Sequence, residues 1–244
     1  MTDLNDLDLH NVTINIPTDA QEILSTLEAD GRQAYVVGGC VRDSLIGRTP
    51  GDWDITTSAL PMQVKQLFRR TVDTGIKHGT VTVMMGDTGY EVTTYRIDGN
   101  YADGRHPDSV EFSANLRDDL KRRDFTINAM AYNNSDGLVD EFNGIGDLQA
   151  GIVRCVGDAR ERFTEDALRM MRAIRFSAQL GFIIDEDTYS AIGAMADTIS
   201  KVSMERIHDE LGKILMSDHP DYVKRLCDTR LTQYVLPVSY THLT

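Results

Sequence analysis

At 244 residues, with 41% hydrophobic and 26% charged side chains, the chain has the composition of a soluble globular protein and is long enough for two domains. No stretch approaches the roughly 18 apolar residues of a membrane span. Asp3, Asp6 and Asp8 stand where a secretory leader needs basic residues, so the cytoplasm is the expected compartment. A formal net charge of -13 argues against a protein that coats nucleic acid indiscriminately, because that binding rests on phosphate neutralisation by Lys and Arg. Any RNA must therefore meet a local basic patch. Cys40, Cys155 and Cys227 stand apart, which excludes a readable disulfide framework or zinc site and leaves them as small packing residues.

Residues 19 to 28 place Ala20, Ile23, Leu24 and Leu27 at helical spacing, predicting a helix that packs on a sheet. The apolar run 34 to 37, a Gly-Gly pair, a helical stretch 42 to 46 and a Gly-rich turn into residues 52 to 56 read as strand, turn, helix, turn, strand. Ser58 as cap and Pro61 in the first turn open a helix through Met62, Val64, Leu67 and Phe68. Residues 80 to 85 and 90 to 95, joined through Gly86, Asp87 and Gly89, predict a β-hairpin. Residues 98 to 108 have loop composition and form a candidate mobile loop. Beyond residue 146 the strand signals nearly vanish and helices follow over 164 to 180, 188 to 198 and 203 to 216, with a shorter one over 222 to 226. The expected organisation is a domain of mixed strands and helices over 1–146, a helical region over 147–236 and a non-native end over 237–244.

Asp52 and Asp54 flank Trp53 on the expected strand, so both carboxylates point to one face and Trp53 to the other. Two such groups can hold Mg²⁺, a hard cation that takes oxygen ligands, although an Asp-x-Asp pair alone is more often a solvated turn or a cap. Glu91, early in a second strand with Thr93 two residues on, supplies a third carboxylate, and the set suits two-metal nucleotidyl transfer. Upstream, Gly38 and Gly39 end a strand before a helix bearing Arg42. Backbone N–H groups can approach a triphosphate there and Arg42 can pair with a phosphate oxygen, or the pair is simply a tight turn.

In the segment RRDFTINAMA, Arg123 and Asp124 precede a short helix carrying Asn128. Asp124 is an acceptable cap; the functional reading puts Arg123 on a phosphate with Asp124 and Asn128 near the ribose. On the helix beginning at Thr164, Asp166, Arg169, Arg172 and Arg175 share a face opposite Ala167, Met170, Met171, Ile174 and Ala178. A solvated face of i,i+3 and i,i+4 pairs accounts for this pattern, as it does for Arg206 and Glu210 further on. Planar guanidinium and carboxylate groups also suit the Watson-Crick edge of a free base.

The strings YVVGGCVRDSLIGRTPGDWDITTSA, YEVTTYR, LKRRDFTINAMAYN, LVDEFNGIGDLQAGIVR, EDALRMMRAIRF and ERIHDELGKIL follow one another in the order found in the class II tRNA nucleotidyltransferase and bacterial poly(A) polymerase family. From residue 20 to 216 the chain resembles that family. The resemblance implies an α+β fold: a nucleotidyltransferase head with a mixed or antiparallel β-sheet, followed by an all-α neck and the start of a helical body. It implies Mg²⁺ on Asp52 and Asp54, Glu91 as third carboxylate, and CTP, ATP and the 3′ end of tRNA as substrates in CCA addition. Gly38, Gly39, Arg42, Arg123, Asp124 and Asn128 match nucleotide contacts. Asp166 and Arg169 match the amino-acid template for the base, Arg172 and Arg175 line the same pocket, and Glu165 orients the pair. The remaining body and the tail that grip tRNA are expected to lie outside this chain, and oligomeric state is left open. Poly(A) addition is the nearest rival. Residues 98 to 108, with Asp103, Arg105 and Pro107, fit full CCA or A-only addition better than CC addition. A small-molecule nucleotidyltransferase would not need the arginine helix, and a non-catalytic RNA-binding module would not need Asp52, Asp54 and Glu91 together.

Overall fold

The computed structural model describes residues 12–99 and 110–236, which form two compact units: 12–99, 110–123 and 127–145 in the first, 124–126 and 146–236 in the second. The expected loop at 98–108 and the end at 237–244 fall outside the described residues, apart from Asp98 and Gly99.

The first unit is built on a seven-stranded sheet. In chain order its strands are β1 (Ala34–Val37), β2 (Ile55–Thr57), β3 (Thr71–Gly75), β4 (Thr80–Met85), β5 (Thr88–Thr94), β8 (Met130–Asn133) and β9 (Gly137–Asp140), arranged β3-β4-β5-β2-β1-β8-β9. All neighbours are antiparallel except β2 and β5, which are parallel. β1 lies near the middle and every residue of it is buried, as expected of an apolar run covered on both faces. α1 (Thr18–Ala29) buries Ala20, Ile23, Leu24 and Leu27, the four residues its spacing singled out. β4 and β5 form the expected hairpin through Gly86 and Asp87, with Met85 opposite Thr88 and Gly86 at φ 58°. Asp98 closes a short strand, β6 (Arg96–Asp98), which pairs with β7 (Val110–Phe112).

Three local expectations for this unit are corrected. Regular strand structure begins at Ile55, so Asp52 and Asp54 lie on the approach to β2. The Val37 N–H donates to the Asp54 carbonyl at 3.0 Å, but β1 then turns away at Gly38, leaving residues 52 and 53 no ladder partner. Ser58 is not the cap of α3 (Pro61–Leu67). The cap is Leu60, whose N–H is taken by the Gln63 side chain at 2.8 Å, while the Ser58 hydroxyl accepts the Gln33 N–H. The apolar residues after Asn128 continue as strand β8, and only Thr126–Asn128 form a 3-10 turn.

After α5 (Gly144–Ala150), the expected helix over 164–180 is two: α6 (Ala159–Glu165) and α7 (Leu168–Leu180), both in the second unit. Asp166 breaks them, with extended backbone at φ -143° and ψ 105°, and its Oδ1 accepts the Leu168 N–H at 3.0 Å. A short carboxylate that can bond local backbone competes with helix continuation, which the 3.6-residue period does not register. α8 (Glu186–Met195) and α9 (Met204–Leu215) follow, and α7 packs on α9. Two two-residue strands, β10 (Ile152–Val153) and β11 (Ile183–Ile184), pair in parallel. Cys40 and Cys155 are buried but Cys227 is exposed. Among the described residues no helix is long and apolar enough to cross a membrane.

Candidate active site

The parallel register of β2 and β5 sets Ile55 opposite Val92, so one step back along each strand Asp54 lies beside Glu91. Asp52, Trp53 and Asp54, on the irregular approach to β2, all border the same cleft, so strand alternation does not sort them into two faces. All three acids line one open cleft of about 460 Å³ bounded by residues 51–54 and 88–91. Their carboxyl groups repel one another. Glu91 is raised above the ordinary carboxylate range first by withdrawal from water and then by the charges of Asp54 and Asp52. Asp54 is raised by withdrawal from water, a shift that Arg123 opposes and Asp52 reinforces. Among the described residues no group of three or more His, Cys, Asp or Glu side chains is placed to hold a metal ion. The acids form an open, oxygen-only edge, and hard cations take oxygen ligands.

A basic floor is assembled in the same unit from three separate stretches of sequence. Gly38 caps α2 (Gly39–Leu45) at φ 85° and ψ -129°. A Cβ at Gly38 would lie 3.1 Å from Arg123 Nη1, so the missing side chain admits the arginine as well as bare backbone. Arg42, under Gly39, donates through Nη1 to Asn128 Oδ1 at 2.6 Å and through Nε to Asp43 at 2.8 Å. Arg123 is held by Asp119 of α4 (Leu116–Lys121), whose carboxylate is fully buried and also accepts from Arg122 and Thr56. Burial alone would raise the Asp119 carboxyl, but Arg122 and Arg123 override it and hold it below the usual range. Among the described residues the buried Arg123 Nε has no hydrogen-bond acceptor. Sequence reasoning passed over Asp119. Its only signal was its spacing three and four residues ahead of two arginines, indistinguishable from a solvated helix pair.

In the second unit the arginines of α7 each meet a different carboxylate. Arg169 pairs with Glu165, which also takes Arg162, so Glu165 holds Arg169 but not Asp166, the other half of the expected pair. Arg172 forks onto Asp124 through Nε at 2.7 Å and Nη2 at 2.6 Å. Asp124 in turn accepts the Phe125 N–H. Arg175 is buried, pairs with Glu210 at 3.1 Å and lies over the Phe176 ring at 4.2 Å, so its guanidinium faces inward rather than toward a nucleotide pocket. Arg206 does not pair with Glu210, because Glu210 is taken by Arg175; it pairs with Asp166 instead. Asp166 and Arg169 remain partly exposed, one turn apart across the helix break.

Residues 34–154 match the family model of the poly A polymerase head domain, and residues 181–240 match that of the probable RNA and SrmB-binding site of polymerase A. The chain is 54% identical over 198 residues to a CCA-adding enzyme of Leuconostoc mesenteroides, covering 81% of this chain and 49% of that protein. The crystal structure of Bacillus stearothermophilus CCA-adding enzyme in complex with CTP superposes with a TM-score of 0.82 at 44% identity, over 88% of this chain and 53% of that one. Thermotoga maritima CCA-adding enzyme complexed with tRNA superposes with a TM-score of 0.76 at 26% identity, over 91% and 54% of the two chains. The chain thus spans about half the length of the curated relatives it matches.

Proposed function

Because this chain belongs to the nucleotidyltransferase family of the poly A polymerase head domain and the CCA-adding enzymes, we propose that it carries the nucleotidyl-transfer machinery that adds C, C and A to the 3′ end of tRNA from CTP and ATP. The observation that carries this reading is the single cleft in which the β2–β5 register gathers Asp52, Asp54 and Glu91.

The family is generally metal-dependent, and the open carboxylate edge fits Mg²⁺ held by Asp52 and Asp54. Bound there, Mg²⁺ supplies charge that sharpens the attacking hydroxyl and neutralises the leaving phosphate. Glu91 completes the anionic wall. The Gly38 and Gly39 backbone receives the triphosphate without side-chain obstruction, Arg123 adds positive charge from beneath Gly38, and Arg42 from beneath Gly39. Asn128 fixes Arg42.

In the second unit Asp166 and Arg169 read the base, since a carboxylate acceptor beside a guanidinium donor complements an amino-bearing pyrimidine or purine edge. Arg172 holds Asp124 in place near the ribose, and Arg175 braces α7 against α9. Residues 1–146 then serve as head, and 147–236 as neck and the beginning of the body.

The test is incorporation of each labelled NTP onto tRNA ending at the discriminator base and onto tRNA ending in CC, with Mg²⁺ or EDTA. Metal-dependent addition of C, C and A that then stops is the expected result. Addition of A alone, or of a long A tail, would move the protein to the A-adding or poly(A)-polymerase branch, and no incorporation would favour a small-molecule acceptor.

A further inference from the structure

We infer that Arg206 on α9 is a positioning residue for base selection, acting through Asp166; the inference rests on the base-reading role proposed above for Asp166 and Arg169. Asp166 sits at the break between α6 and α7, so no regular helix fixes its side-chain direction. Two contacts do. Oδ1 accepts the Leu168 N–H at 3.0 Å, and the Arg206 guanidinium forks onto the carboxylate, with Nη2 at 2.8 Å from Oδ2 and Nη1 at 3.4 Å from Oδ1. A planar fork sets the plane of a carboxylate as well as its position, which a lysine cannot do.

Arg169 is fixed independently, by Glu165 and by the Arg162 carbonyl at 3.3 Å. The two halves of the reading pair therefore have separate holders on separate helices, and losing one holder should misalign one half only. The chemistry makes that half decisive. An ionised carboxylate only accepts hydrogen bonds, and of its roughly four lone-pair positions Arg206 and Leu168 occupy three, leaving one on Oδ2. Cytosine and adenine offer an exocyclic amine to such an acceptor, whereas uracil and guanine offer a carbonyl oxygen that repels it. A tilt of the carboxylate plane therefore erodes the choice between amino and keto bases before it affects phosphate or metal binding, which other residues provide.

The experiment is steady-state incorporation of CTP and UTP by wild type, Arg206→Ala, Arg206→Lys and Asp166→Ala. Arg206→Ala should lower the CTP-to-UTP ratio of kcat/KM by about tenfold or more, mostly through KM for CTP, and Arg206→Lys should fall between it and wild type. A ratio measured within one preparation does not depend on how much of the protein is folded. An Arg206→Ala enzyme with a uniform loss of rate and an unchanged ratio, beside an Asp166→Ala enzyme that has lost discrimination, would overturn the positioning role alone. Full discrimination in Asp166→Ala would overturn the base-reading proposal beneath it.

Discussion

The carboxylates of the cleft and those of the helical unit meet opposite electrostatic settings. In the cleft, Asp54 and Glu91 are both raised, first by withdrawal from water; Asp54 and Asp52 add to the rise of Glu91, while for Asp54 the charge of Arg123 opposes the rise and that of Asp52 reinforces it. In the helical unit, Glu165, Asp124, Asp166 and Glu210 each accept from an arginine. Asp119 shows that the contrast is not one of domain, since it lies in the first unit, fully buried, and is held by two arginines. Where acids are left under-neutralised, the protein lacks a charge that a ligand can bring. Where they are neutralised, they fix the positions of other groups.

The strongest way to break this comparison is to remove the under-neutralised acids. Asp52→Ala or Asp54→Ala should reduce nucleotide incorporation by at least about a thousandfold, since charge stabilisation of this kind amounts to several kcal/mol. Full activity in single-turnover assays would show that the cleft is not the reaction centre.

A neutralised pair should behave differently. Arg175→Met strands Glu210 in the α7–α9 contact, leaving Lys213 at 3.8 Å as a weak substitute, and should cost about 3 kcal/mol in denaturant unfolding. Arg175→Met with Glu210→Leu should recover most of it, because two apolar groups replace two desolvated charges. A double variant no better than the single would mean that the pair is more than a brace.

Gly38→Ala probes the boundary between the two settings. Forcing a Cβ at φ 85° within 3.1 Å of Arg123 should cost about 1–2 kcal/mol and raise KM for the nucleoside triphosphates several-fold. Unchanged melting and KM would remove Gly38 from the triphosphate floor.

The smallest effect has an opposite sign. The folded-state pKa of Glu91 is raised, so ionisation near neutrality costs the native state stability, and protonation on acidification relieves that cost. Glu91→Gln should therefore raise Tm slightly at neutral pH, within about 1 kcal/mol because the group is exposed and screened. The gain should shrink as pH falls through the carboxylate range. A Tm that drops at neutral pH would mean that Glu91 is already compensated by a partner.

Short-range spacing made part of the candidate site legible, namely the Asp52 and Asp54 pair, the Gly-Gly turn before Arg42, and Glu91 early in a strand with Thr93 two residues on; strand alternation did not reach the pair, which precedes β2. The same local rules supplied α1, the β4–β5 hairpin and α9. They failed where a side chain outcompeted a period, as when the carboxylate of Asp166 broke a continuous apolar stripe into α6 and α7. They also failed at β8, an apolar run too short for periodicity to separate strand from helix. By itself the sequence determined the residue types of the chemistry and the family they resemble, since those depend on local spacing. Only the tertiary structure decided which charge belongs to which. Asp119 went to Arg123, Arg172 to Asp124 and Arg206 to Asp166 because ion pairing falls off with distance in space, and helix packing and strand register bring together residues that sequence separation keeps apart.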